Sequence, residues 1–228
     1  MNRVSAGVTG FENPCNLFKK KALNLTDIFV HSKSSMKIIP SPQDYIKFGI
    51  SSGDWLLVDS GRQPSKSDII LVERFGESHV LLYSSLASRV ANSECCIFED
   101  ITVAGVICLS IHHFRPPINI PEHSNLNELD LHELLITQEY SSVICRASGK
   151  SMMPHIFDND ILILERHLTV HQNDVCILSL NNDLVCKRVD IEGHVLNSDN
   201  PNFKPYTVGE YDYIRMHGVV RYSLRLHT

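Results

Sequence analysis

The sequence contains no Cys-x-x-Cys pair, no excess of basic residues and no long apolar run. Each absence removes a class of function. Lysine plus arginine number 21 against 26 aspartates plus glutamates, a formal charge of -5. That balance offers no basic face to neutralise phosphates, so no direct sequence-specific DNA binding is expected, and any link to DNA runs through partners. The segment from Met1 to Leu17 contains Glu12, Asn13 and Pro14 and has no continuous apolar core. It is read as neither a secretory signal nor a membrane anchor, which implies a cytoplasmic protein without membrane contact. The 7 cysteines are odd in number, and Cys145, Cys176 and Cys186 lie in apolar, strand-like runs. A thiol there behaves as a small hydrophobe, so reduced cysteines, no metal site and no cofactor are expected. The 12 histidines are scattered. His112 and His113 are adjacent, and on a strand they point to opposite faces and cannot chelate one ion together.

What is present is a chain of 228 residues, 43% hydrophobic and 21% charged, enough for one large domain or two small ones. Sliding the sequence against itself favours two. Leu23-Asn-Leu-Thr-Asp-Ile-Phe-Val30 matches Leu129-Asp-Leu-His-Glu-Leu-Leu-Ile136. Gly53-Asp-Trp-Leu-Leu-Val-Asp59 matches Asn159-Asp-Ile-Leu-Ile-Leu-Glu165, and Ser67-Asp-Ile-Ile-Leu-Val72 matches Asn173-Asp-Val-Cys-Ile-Leu178, all 106 residues apart. Val103-Ala-Gly-Val-Ile107 matches Met216-His-Gly-Val-Val220 at 113, so the first copy is seven residues shorter before that block. The blocks are short runs of Ile, Val and Leu punctuated by Gly-Asp, Asn-Asp and Ser-Asp turns, the pattern of a mostly-β chain. A leucine-rich segment opens each copy and suits a helical turn. Between the copies, Pro116, Pro117 and Pro121 favour an extended linker. The expected organisation is an arm over 1–22, a first domain over 23–115, a linker over 116–128 and a second domain over 129–228.

The second copy carries Ala147-Ser-Gly-Lys-Ser-Met-Met-Pro154, then Phe157-Asp-Asn-Asp160. Thirty-six residues after Ser151 comes Lys187, within Leu184-Val-Cys-Lys-Arg-Val189. Ser-Gly-x-Ser-Met, a turn ending in Asp, then Val-x-Lys-Arg resembles the peptidase domain of LexA, UmuD and their phage-repressor relatives. Asn197-Ser-Asp-Asn-Pro-Asn-Phe-Lys-Pro205 and Gly218-Val-Val220 also fall where that family has similar segments. The resemblance spans Leu129 to the C terminus. It implies that Ser151 is a nucleophile and Lys187 its general base, in a β-rich fold. The residues suit those roles. A serine hydroxyl needs a base to take its proton, and lysine serves only when neutral, which requires its pKa of about 10.4 to fall through burial. On a strand, Val185 and Val189 share a face with Lys187. The turn from Gly149 to Met152 is the natural source of backbone donors for an oxyanion.

At the 106-residue offset Ser151 falls on Tyr45 and Lys187 on Leu81, and a register shifted by one puts Asp44 at the serine position. The first copy is therefore expected to be a degenerate, non-catalytic LexA/UmuD-like fold. Because UmuD-like proteins dimerise, the tandem looks like an intramolecular pseudo-dimer, open to further homo-oligomer formation. The family cuts a small-residue-Gly bond in its own arm. Ala6-Gly7 precedes Phe11-Glu-Asn-Pro14 much as the family's scissile bond does, whereas Ala104-Gly105 lies in a strand-like run and reads as structural. The resemblance thus implies an autoproteolytic accessory subunit of SOS-response, error-prone translesion DNA synthesis. Its partners would be a RecA-type filament on single-stranded DNA and a UmuC-like polymerase. Competing readings are a non-catalytic scaffold of the same fold, a LexA-like regulator lacking a DNA-binding domain, and a signal-peptidase-like enzyme, which would need a membrane anchor.

Overall fold

A computed structural model describes residues 24–92, 101–116, 124–126 and 130–227. Ala6, Gly7 and most of the linker lie outside the described residues. The chain is mostly β, as its turn-punctuated apolar runs predict. The first half runs α1 (Leu25–Phe29), β1 (Met36–Pro40), β2 (Trp55–Asp59), β3 (Ile69–Arg74), β4 (Glu77–Leu82), α2 (Tyr83–Asn92) and β5 (Ile101–His113). A two-residue strand β6 (Ser124–Asn125) then pairs with β1. The second half runs α3 (Leu131–Leu135), β7 (Ser142–Arg146), β8 (Ile161–Glu165), β9 (Val175–Leu180), β10 (Asp183–Asp190), β11 (Val195–Asn197), β12 (Tyr206–Thr207) and β13 (Ile214–Leu226).

The first residues of α1, β1, β2, β3 and β4 recur 106 residues later as those of α3, β7, β8, β9 and β10. The local chemistry recurs with them. Asn24 caps α1 by accepting from the Thr26 and Asp27 amides at 2.8 and 3.1 Å, and Asp130 caps α3 through His132 and Glu133 at the same two distances. Four buried aspartates close four turns in the same way. Asp54, Asp68, Asp160 and Asp174 each accept from the backbone N–H three residues earlier, at 2.6–2.7 Å. A buried carboxylate in such a turn satisfies a donor that would otherwise be stranded. Gly105 and Gly218 sit where neighbouring strands press closest. A Cβ on Gly105 would lie 2.6 Å from the Asp59 carbonyl oxygen, and one on Gly218 would lie 3.1 Å from that of Glu165, the counterpart of Asp59. Ala104-Gly105 is thus interior to β5, with Gly105 opposite Leu71 of β3.

The halves differ after β4. The second half continues into β11 and β12, whereas the first forms α2, whose Leu86 packs with Ile70, Val72 and Val106. Alignment of the copies showed only a shortening here, not a helix.

β5 and β13 join the halves antiparallel, with His113 opposite Tyr222, Ile111 opposite Leu224 and Leu109 opposite Leu226. Exchanging the two halves maps this register onto itself about the Ile111–Leu224 pair, an approximate two-fold axis. Around it, Leu25, Trp55, Leu109 and Ile111 share one buried cluster with Leu131, Leu135, Ile163 and Tyr222. Across the same seam, Thr26 Oγ1 donates to the Asp130 carboxylate at 2.7 Å. The halves are therefore not two independent beads, since unfolding either would expose the other's core.

Candidate active site

Ser151 lies on the loop between β7 and β8, and that loop is fastened at both ends. The Ala147 amide donates to the Asp160 carbonyl at 2.8 Å, and the Asn159 amide to that of Ala147 at 3.0 Å. Met152 and Ile156, 3% and 2% exposed, plug the loop into the apolar cluster of Leu162, Leu164, Val175 and Val220. Ser151 is thereby held at the surface by buried neighbours. Gly149 has φ +96° with open space where a Cβ would stand, so backbone conformation rather than room calls for glycine. Its amide donates to Asp158 Oδ1 at 2.9 Å and is committed there, whereas those of Ser151 and Met152 have no acceptor within the described residues. Of the turn amides considered from sequence, Met152 remains open to a ligand and Gly149 does not.

Lys187 arrives from β10, opposite Cys176 of β9. It lines one cavity of about 150 Å³ with Ser151, Gly149, Met152 and Val185. Val189 packs into the adjoining cluster of Leu178, Leu196 and Val219. Burial pushes the Lys187 amine below its ordinary pKa, and the neighbouring Cys186 opposes this. The amine donates to Ser198 Oγ at 2.6 Å rather than to Ser151. Residues 198–200 form a clasp between the serine loop and the lysine strand. Asp199 accepts from His155 Nδ1 at 3.0 Å and from Arg188 Nε and Nη2 at 2.8 and 2.9 Å. Burial by itself would raise its pKa, but the His155 and Arg188 hydrogen bonds outweigh this and hold the carboxyl at about 2. The Asn200 amide and side chain donate to the carbonyls of Ser151 and Lys150 at 3.0 and 2.8 Å.

Ser151 and Lys187, paired by their motif, line one cavity. Segment 197–205 carries no role legible from its residues alone, and His155 is one of 12 scattered histidines. Three successive hydrogen-bonding residues after a strand, Ser198-Asp199-Asn200, were the available signal. Ser198 makes a sharp prediction. Accepting from the ammonium favours the charged lysine, so Ser198→Ala lowers the Lys187 pKa further. Titration of ¹³Cε-labelled lysine by NMR reads this, and an unchanged or raised value contradicts it.

In the first half, Tyr45 lies 106 residues before Ser151, its hydroxyl buried without a hydrogen-bond partner. Leu81, 106 residues before Lys187, packs beside Ile70 and Val72, and Asp44 Oδ1 accepts from the Ser52 amide at 2.7 Å. No helix among the described residues is long and apolar enough to cross a membrane. Cys108, Cys145, Cys176 and Cys186 are free thiols, and burial pushes Cys176 and Cys186 up to about 12.

The Peptidase S24-like family model matches residues 115–221, the half that contains the Ser151–Lys187 cavity. Protein MucA of Salmonella typhimurium and Protein MucA of Escherichia coli are each 29% identical to this chain over 103 residues, covering 44% of it and 70% of MucA. The motif residues gathered around one cavity fall inside that match, so it is the second half of the chain that is similar to the Peptidase S24-like family.

Proposed function

We propose that this protein is a self-processing serine peptidase of the UmuD kind, with Ser151 as nucleophile and Lys187 as general base. The observation that carries the reading is the single cavity lined by both side chains, in which burial lowers the lysine pKa. In its neutral form the amine takes the Ser151 proton as the hydroxyl attacks a peptide carbonyl. The oxyanion then develops beside the unoccupied Ser151 and Met152 amides. Protonated Lys187 returns its proton to the leaving amine, and water completes hydrolysis of the acyl-serine by the same base. The substrate is the Ala6-Gly7 bond of the chain's own arm.

The element recurrence at 106 residues supports a duplication in which 23–115 is an inert copy and 129–228 the catalytic one, a pseudo-dimer in one chain. By the family resemblance, processing is triggered by a RecA-type filament on single-stranded DNA. The processed protein then serves a UmuC-like polymerase in SOS translesion synthesis. A second reading, a non-catalytic scaffold of the same fold, is favoured by the Lys187–Ser198 hydrogen bond, which leaves Ser151 without its base in this conformation. Unliganded sites often tighten such contacts only around substrate.

The pH-rate profile separates the two. Burial makes the neutral lysine available below its ordinary titration, so cleavage rises with pH through an inflection below about 10.4. No cleavage at any pH across that range supports the scaffold.

A further inference from the structure

Arg225, near the end of β13, spends all its donors at the junction of the two halves. Its side chain is 13% exposed. Nε and Nη2 form a bidentate pair with Asp160 Oδ1 and Oδ2 at 3.0 and 2.6 Å, and Nη2 reaches the His155 carbonyl at 3.3 Å. These acceptors belong to the serine loop. Nη1 turns the other way, to the first-half carbonyls of Gly49 at 2.6 Å and Phe48 at 3.4 Å. The five N–H groups of a guanidinium match these five acceptors. Phe157 closes the face of the group, its ring centroid 3.7 Å from Cζ. The first-half carbonyls come from a 3-10 turn, Ile46–Phe48, ended by Gly49 at φ +63°. A Cβ there would stand 1.7 Å from Nη1, so no side chain fits while Arg225 holds this position.

Gly49 and His155 are counterparts at the 106-residue offset, and both give their carbonyls to the one guanidinium. His112, the counterpart of Arg225 at 113 residues, instead pairs with Asp54 at 2.7 Å and stacks on the His155 ring at 5.2 Å. His155 is the residue whose Nδ1 bonds Asp199, beside the Ser198 that holds Lys187. First-half groups thus touch the serine loop at two points, through Arg225 and through His112.

We infer that the non-catalytic half positions the serine loop of the other half: the Phe48 and Gly49 carbonyls fix Arg225, which fixes Asp160 and His155 and so the placement of Ser151 opposite Lys187. Gly49 and Arg225 are positioning residues and touch no substrate. The inference deepens the proposed peptidase reading and rests on it. It also gives the inert copy a reason to be retained that needs no chemistry at Tyr45 or Leu81.

The test uses the full chain with Gly49→Ala, and Ile46→Ala as control, because Ile46 belongs to the same turn but its side chain is 73% exposed. Two readouts are taken: cleavage in trans of a synthetic peptide spanning residues 1–15, and amide hydrogen exchange over 150–157. In Gly49→Ala the cleavage rate falls roughly 10- to 100-fold, as loss of near-attack geometry costs. Its rising pH limb moves towards higher pH as water reaches Lys187. Exchange over 150–157 accelerates while the β2 and β3 amides stay protected. Ile46→Ala behaves as wild type. Global destabilisation alone would lower protection everywhere and leave the pH limb in place. If Gly49→Ala does not fold, Arg225→Lys substitutes for it, since a single ammonium cannot serve Asp160 and the Gly49 carbonyl as a fork does. Unchanged exchange over 150–157 in a folded variant overturns the inference. If wild-type protein leaves the peptide intact, the peptidase reading fails and exchange alone decides the bracing.

Discussion

Ser151→Ala and Lys187→Ala each reduce cleavage of the 1–15 peptide by at least about 10³-fold, and the double variant is no worse than the poorer single one. Nucleophile and base act as a unit, so removing either removes the covalent pathway. What survives comes from binding and the oxyanion amides. The two variants separate in one respect. Ser151→Ala keeps the lysine in its cavity, so its NMR titration stays below the ordinary value. Lys187→Ala leaves Ser151 on a loop still fastened through Ala147, Asp160 and Asn200. Both should melt within about 1 kcal/mol of wild type, since neither removes a large apolar side chain or a turn-closing carboxylate. Additive losses, or full activity in either variant, contradict the dyad.

Acid destabilises the fold well before the carboxylates titrate. Burial, reinforced by His112 and Arg221, lowers the pKa of His113 to about 4. Both of its ring nitrogens are buried without a hydrogen-bond partner, while Trp55 and Tyr222 flank the ring. Burial, with Arg225 nearby, also lowers His227 to about 4. The unfolded chain binds these protons near pH 6.5 and the folded chain does not, so stability falls as pH drops from about 6.5 to about 4. At about 1.4 kcal/mol per pKa unit, each histidine removes roughly 3 kcal/mol by pH 4. Asp199 acts lower, its contribution being lost from about pH 4 down to about 2. Melting followed from pH 7.5 to 4.5 should show a steep loss of Tm, and His113→Phe should flatten it. A Tm constant over that interval excludes a buried, neutral His113.

How much of this was legible in the sequence depended on whether the cause was local. The capped turns at Asn24 and Asp130, the four Asp-closed turns and the short strands are set by neighbours in the chain, and the repeat made them readable twice. Ser151 and Lys187 were legible because their flanking residues form a recurring pattern. The clasp at 198–200 was half legible. Its residues stood out as a segment, but that Asp199 would bind His155 and Arg188 depends on three separate strands and loops meeting. Arg225 was not legible at all. Nothing around Leu224 and Leu226 marks an arginine as the link to a turn some 176 residues earlier. The helix α2 was hidden for another reason: the repeat predicts strands there, and the sequence departs from the repeat at that point. That Asp158 takes the Gly149 amide was not legible either, because it depends on the fold of the whole 147–160 loop.

The most direct test of the central claim is the intact mass of the purified chain after incubation at mildly alkaline pH, with and without RecA filaments on single-stranded DNA, beside Ser151→Ala. The account predicts loss of the mass of Met1 to Ala6 from the wild type, faster with filaments, and an unaltered mass for the variant. The same loss from Ser151→Ala, or an unaltered wild-type mass under every condition, would contradict it.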